Sequence, residues 1–402
     1  MYVWDSDYPW DIRTEKSCLV LTEAGHRVHI VARNRRQQNI TERLPEGTVH
    51  RMRPWKWAGR ADAALGFPAF LNPRWRSLIS RVSRDVHADV ILVRDLPLCP
   101  VAIGIGRRLQ VPVILDMAEH YPAMMRALRE TGRHQPLDWL IRNPALVEAV
   151  ESYCIARVDH ILVVADEMKA RLASMGVDRA RMTRVSNTPM LVSKPVVSRA
   201  PRRDGEPIRL VYLGILEVVR GIDEVIDAVA LLRGGPSRCT LLLIGSGRDE
   251  QLFRDRVAAR GLTSDDVEFA GYVTYARAME MVAAADIGVL PLHRNEHMDT
   301  TEPNKLFDYM SAGLPVITSD TIPSARIVRA EGAGVVFQAQ SAESLADAIR
   351  ALGDGDTRAS MGARGKAAVE RCYNWKHDAS SLVHVVEEAP AVRLRVAVKR
   401  KP

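Results

Sequence analysis

Nothing in the 402 residues approaches the run of about 20 apolar residues that a helix needs to span a bilayer. The opening, "MYVWDSDYPW", carries acids where a secretory signal has a basic start and an apolar core, so no leader is expected. Cysteine is sparse. Cys18, Cys99, Cys154, Cys239 and Cys372 are scattered, odd in number and never in CxxC spacing, which argues against a disulfide framework and a structural zinc site. A reducing, cytoplasmic compartment and five packing thiols are the expectation. Also missing are a Gly-x-Gly-x-x-Gly fingerprint and a Walker A loop, a carboxylate cluster suited to Mg²⁺ or Mn²⁺, and any nucleic-acid-binding motif.

What is there is globular: 47% hydrophobic and 26% charged residues, in a chain long enough for two cores. The net charge is +7 and the sequence pI about 9.3, which suits anionic small molecules or an anionic surface. From Arg51 to Arg84 there are eight Arg or Lys against one acid, Asp62, with Trp55, Trp57 and Trp75 interleaved. Two readings stand: a membrane-surface segment of basic-plus-Trp character, or a solvated loop and helix with snorkelling arginines.

Short apolar runs alternate with helical patterns. "HRVHIVA" (26–32), "ADVILVRD" (88–95), "VPVILDM" (111–117) and "DHILVVA" (159–165) read as strands covered on both faces. Helices are expected at 13–25 and 144–158. After a polar stretch rich in Pro and Arg the rhythm restarts with strand-like runs at 208–214, 238–247, 267–273, 286–292 and 314–320 and a helix at 221–233. The expectation is α/β: two doubly wound Rossmann-like domains facing a cleft. They would occupy 1–192 and 208–372, with a linker at 193–207 and a C-terminal helix and basic tail at 373–402 that can pack back on the first domain.

Candidate chemistry gathers at strand ends. "YLGILEVVRGID" places Gly214 at the end of a strand and Arg220 just before a helix, an arrangement open to phosphate. It is also an ordinary turn. "LLIGSG" repeats it with Gly245, Ser246 and Gly247. In "TTEPNKLFDYMSAGLPVITSD" a helix is expected from about 303 to 312, ended by Gly313, with Lys305 and Asp308 one turn apart. They read either as a surface ion pair or as a Lys for a diphosphate and a carboxylate for ribose hydroxyls. In the first half, Asp5, Asp7, Asp11 and Arg13 lie in one loop, and Asp116, Glu119 and His120 in another, both at the carboxyl edge of the sheet. His120 reads as structural or as catalytic.

Together these stretches resemble the glycosyltransferases of the two-Rossmann-domain GT-B fold, and more narrowly the retaining family 4 group that builds bacterial polysaccharides and glycolipids. The resemblance runs along nearly the whole chain. It is carried by "PNKLFDYMSAGLPVI", supported by "VYLGILEVVRGIDEVIDA", "LLLIGSG", "VEFAGYV", "AADIGVLPL", "YNW" and, in the first half, "YPWDIRTEK", "LTEAGHRVHIVA" and "VPVILDMAEHYP". It implies a nucleotide diphosphate sugar as donor, a saccharide or lipid-linked acceptor, retained anomeric configuration and no metal. Gly214, Gly245, Ser246, Gly247, Tyr272, Glu302 and Asp308 are implied at the donor, with Arg220, Lys305, His120 and Glu119 at the reaction. The chain departs from the pattern at Ile215, where an Arg is usual, at Thr300, where the first Glu of a Glu-x7-Glu pair would fall, and at Ala118, where a His is usual. Those departures keep two alternatives open: a degenerate relative that binds nucleotide or membrane without turnover, and a sugar-nucleotide epimerase on the same fold. The location implied is cytoplasmic or peripheral on the inner membrane face.

Overall fold

The structure, a computed structural model, describes residues 1–9, 11–53, 69–130, 143–190 and 206–399, with side chains for all of these but 71, 130 and 392–399. Two compact units divide the chain: Met1–Ser186 together with Asp378–Pro402, and Asn187–His377. The expected linker lies outside the described residues except for its last two, Glu206 and Pro207.

Among the described residues the first unit holds eight strands: β1 (Tyr2–Asp7), β2 (His29–Arg33), β3 (Thr41–Leu44), β4 (Gly47–Arg51), β5 (Ile91–Arg94), β6 (Val113–Met117), β7 (His160–Val163) and β8 (Met182–Arg184). Their order is β3-β4-β2-β1-β5-β6-β7-β8. Every pairing is parallel except β3 with β4. The strand order reverses between β1 and β5, the position beside which ligands of such sheets bind.

The second unit holds β9 (Ile208–Leu213), β10 (Cys239–Ile244), β11 (Val267–Gly271), β12 (Ile287–Leu290), β13 (Val316–Ser319) and β14 (Gly334–Phe337). All are parallel, in the order β11-β10-β9-β12-β13-β14. The switch falls between β9 and β12. The apolar run "IRLVYL" explains why this sheet is buried on both faces: Ile208, Leu210 and Tyr212 enter one hydrophobic core while Val211 enters the other.

Helices follow the 3.6-residue period. Pro73–Asp85 buries Trp75, Leu78, Ile79 and Val82 and is capped by Asn72, whose side chain accepts from the Arg74 N–H. Trp75 is therefore core, 0% exposed, with the Arg33 guanidinium 5.7 Å from its ring centroid. This corrects its place in the expected interfacial patch. Arg76, Arg81 and Arg84 on the same helix are exposed, whereas Trp55 and Trp57 fall outside the described residues. Among the described residues no helix is long and apolar enough to cross a membrane. All five cysteines are free, four of them buried and Cys372 partly so.

Candidate functional site

At the carboxyl ends of β9 and β10 two strand-end loops meet. Gly214 has φ +144°, outside the comfortable range of side-chain-bearing residues, and its N–H donates to the Ile244 carbonyl at 2.9 Å. A Cβ on Gly214 would collide with the Lys305 ammonium, so Nζ lies directly on the Gly214 backbone. A Cβ on Gly245 would collide with the Gly214 carbonyl oxygen, and Gly247 lies against Leu216. Between them Ser246 is exposed, and its carbonyl accepts from the Leu216 N–H at 3.2 Å. The loop from Ile215 to Arg220 is pinned at several points. Asp249 accepts from the Val218 N–H at 3.0 Å, Tyr212 donates to the Ile215 carbonyl at 2.9 Å, and the His293 N–H reaches the Val219 carbonyl at 3.4 Å.

That pinning fixes Arg220, the last residue of a short turn, Val218–Arg220. Its Nε is enclosed, and among the described residues its guanidinium makes no hydrogen bond or ion pair. The helix Asn304–Ser311 brings Lys305 alongside, with Pro303 at its N-cap position. Nζ donates to the Tyr212 hydroxyl at 3.1 Å and sits 4.3 Å from that ring's centroid. Burial, reinforced by the Arg220 charge and opposed by Asp308, holds the Lys305 amine well below the usual lysine range. His297 is likewise pushed down to about 4, first by burial and then by Arg220. Two basic side chains with no bonded carboxylate among the described residues, on half-buried glycine backbone at a topological switch, form a seat for an anion.

Asp308, one turn along the same helix, accepts from the Tyr275 hydroxyl at 2.8 Å. Tyr275 and Tyr272, the latter 67% exposed, flank this edge after β11. Glu302 is 0% exposed and paired with Arg326 at 3.1 Å, so its carboxylate is spent inside the unit. Thr300 donates to the Glu296 carbonyl at 3.0 Å. Ile215, where the resemblance expects an arginine, is 52% exposed. Sequence reading missed Tyr212 as the platform for Lys305 and Tyr275 as the holder of Asp308. An aromatic ending a buried strand reads as packing alone. It also missed Asp223, Glu224 and His293, whose ligand-type atoms lie within 4.8 Å of one another. His293 bonds Glu224 at 3.0 Å there.

In the first unit the acids are mostly engaged with arginines. Asp5 and Asp7 belong to β1 rather than to the loop, and they hold Arg33 and Arg35. Asp11 caps the helix Ile12–Glu23 and accepts from Arg94 at 2.9 Å. Asp116, buried in β6, takes Arg13 at 2.5 Å and the Tyr2 hydroxyl at 2.8 Å, and Arg13 holds it below the ordinary carboxylate range despite burial. Glu119 and His120 follow at the end of β6, half-buried and buried respectively. Asp95, at the end of β5, sits at φ +59° and accepts from the Ala118 N–H at 3.0 Å, tying that loop to the switch point.

Comparison with known proteins covers both units. Residues 13–188 match the family model described as "Glycosyl transferase 4-like domain", and residues 207–354 the one described as "Glycosyl transferases group 1". The glycogen synthase of Mycobacterium tuberculosis is 25% identical over 334 residues, 79% of this chain and 75% of that protein. The phosphatidyl-myo-inositol mannosyltransferase of Mycobacterium leprae is 29% identical over 230 residues, 57% of this chain and 58% of that one. Among solved structures, the sucrose-phosphate synthase of Thermosynechococcus elongatus superposes with a TM-score of 0.74 at 17% identity, covering 97% of this chain and 99% of that one. Anabaena HepE in complex with UDP-glucose gives 0.69 at 12% identity, covering 96% of this chain and 100% of that one.

Proposed function

Because the chain belongs to the GT-B glycosyltransferases of the family 4-like type, we propose that it moves a sugar from a nucleotide diphosphate sugar to a saccharide or lipid-linked acceptor, with retention and without a metal. The observation that carries this is the Arg220 guanidinium, without a hydrogen-bond partner among the described residues, together with Lys305 on Gly214. The donor diphosphate sits there, and its charge answers both cations. Asp308 and Tyr275 face the ribose, and Tyr272 the rest of the nucleotide. The acceptor hydroxyl attacks from the face the phosphate leaves: the C1–O bond to phosphate breaks, the C1–O bond to the acceptor forms, and the acceptor's proton passes to a phosphate oxygen. Arg220 and Lys305 then hold the charge that a metal holds in other transferases. Glu119 and His120 serve the acceptor side. HepE, solved with UDP-glucose, and the mannosyltransferase of Mycobacterium leprae, named for an inositol lipid, support a nucleotide-sugar donor and make a lipid-linked acceptor reasonable.

The test is thermal stabilisation of the full chain by UDP, GDP, ADP and TDP and their common sugars. A ligand at about 100 times its Kd adds about 2.7 kcal/mol. A shift with one nucleotide names the donor class, and no shift with any removes the donor site. The exposed Ile215 favours one rival, a relative that binds nucleotide without turnover. It predicts the same thermal shift but no release of nucleoside diphosphate when acceptors are supplied.

A further inference from the structure

The reaction proposed above makes no use of Asp223, Glu224 and His293. Asp223 and Glu224 stand in the first turn of the helix Ile222–Leu232, whose N-cap residue, Gly221, has no side chain to offer the free amides. The helix dipole alone favours acids there. It accounts for neither the third member nor the geometry. His293 arrives from the loop after β12, and its Nε2 stands 3.0 Å and 3.2 Å from the two Glu224 oxygens. Asp223 adds a second carboxylate, and its Oδ1 is enclosed without a hydrogen-bond partner among the described residues. One ligand-type atom from each residue lies within 4.8 Å of the other two. The side chains of Glu224 and His293 are only 13% and 17% exposed, so bulk water answers little of this charge. The backbone holds both sides of the cluster in place. Gly221 has φ +70°, and a Cβ there would collide with the Pro291 carbonyl, so the loop after β12 lies directly on the helix start. The His293 N–H to the Val219 carbonyl, at 3.4 Å, joins the same two segments. Two neighbouring carboxylates and an imidazole on fixed backbone, with one enclosed oxygen unanswered, are a donor set for a divalent ion.

We propose that Asp223, Glu224 and His293 bind one divalent transition-metal ion of the Zn²⁺ type, which clamps the loop after β12 to the start of the helix Ile222–Leu232. Ligands about 2.0–2.2 Å from zinc stand about 3.4 Å apart on a tetrahedron. The His293–Glu224 spacing comes close to that. Asp223 completes three protein ligands, and a fourth position stays open to water. The imidazole selects against Mg²⁺ and Ca²⁺, which take oxygen ligands. Two carboxylates and a neutral imidazole cancel the two charges of the ion. The clamp acts on the fold and carries none of the leaving-group charge, which stays with Arg220 and Lys305. It stands independently of the donor-site reading.

The experiment strips the full chain with a chelator and titrates it with Zn²⁺, Mn²⁺ and Mg²⁺, reading bound metal by mass spectrometry and Tm in parallel. Expected are about one Zn²⁺ per chain and a Tm that rises with Zn²⁺ concentration, as for any ligand of the native state. Mn²⁺ should bind more weakly and Mg²⁺ should give no response. Asp223→Asn and His293→Gln nearly keep the size and polarity of each side chain, and circular dichroism checks that both variants fold. Each should lose Zn²⁺ affinity by more than the roughly 10–100-fold that removing an outer-shell partner costs, and the Tm response with it. No stoichiometric Zn²⁺ or Mn²⁺ binding overturns the site and leaves His293 and Glu224 a plain ion pair. Zn²⁺ held equally by the parent and by both folded variants belongs to other side chains and also overturns it. A Mg²⁺ response equal to that of Zn²⁺ overturns the ligand set.

Discussion

Arg220 and Lys305 reach the same spot by different routes, one from a turn and one from a helix, and each is expected to matter singly. Replacing either by Ala should lower kcat by about 10²–10³-fold, or about 2.7–4 kcal/mol, the scale of losing one fixed stabiliser of a leaving group. Steady-state kinetics with the donor identified by thermal shift is the check, and unchanged kcat in both variants removes the phosphate assignment. A second residue-scale prediction concerns Asp95. Its carboxyl is pushed from 3.8 up to about 7, mainly by burial, with Glu119 and Asp116 adding and Arg94 opposing. The native state therefore keeps a proton that the unfolded chain has already lost. Stability is full below the unfolded value and declines as pH rises through about 7. Asp95→Asn tolerates the same left-handed backbone and can still accept from Ala118. Its Tm should exceed the parent's above neutrality, and the gap should close towards acid pH.

Among elements, the helix Pro73–Asp85 shows how much was legible and where reading stopped. Trp75, Leu78, Ile79 and Val82 stand at i, i+3, i+4 and i+7, the signature of a buried stripe. The same segment's arginines drew attention to charge instead. Trp75→Ala should cost about 3–5 kcal/mol in urea denaturation, as core aromatics do. Asp11→Ala should cost about 0.5–2 kcal/mol as a lost N-cap, towards the upper end because Asp11 also holds Arg94. The strands legible in the sequence were the continuous apolar runs. The pair β3 and β4 has mixed polarity, β8 has three residues, and β14 lies at a sheet edge, so none announces itself by period. Gly214, Arg220 and Lys305 could be read from strand-end glycines and helix starts. The burial of Glu302 against Arg326 could not, because it depends on a helix packing from 24 residues away.

For the molecule as a whole, the question is where it works. Arg76, Arg81 and Arg84 are exposed on the helix Pro73–Asp85 of the first unit. If these arginines meet an anionic membrane carrying the acceptor, co-sedimentation with anionic vesicles should occur at low salt and fall steeply as salt rises. Charge reversal of the three arginines should abolish it while nucleotide binding persists. Sedimentation that ignores salt, or does not occur, leaves the face as solvated surface.

The first unit is discontinuous, and that imposes an order on synthesis. The Ser186 N–H donates to the Asp378 carboxylate at 2.8 Å in a buried position, its partner 192 positions away along the chain. The whole of the second unit, Asn187–His377, is made between those two partners. A ribosome at about 5–20 residues per second needs ten seconds or more to cover that distance. Throughout that interval the nascent first unit waits with the Ser186 amide, two residues beyond the end of β8, unanswered by Asp378.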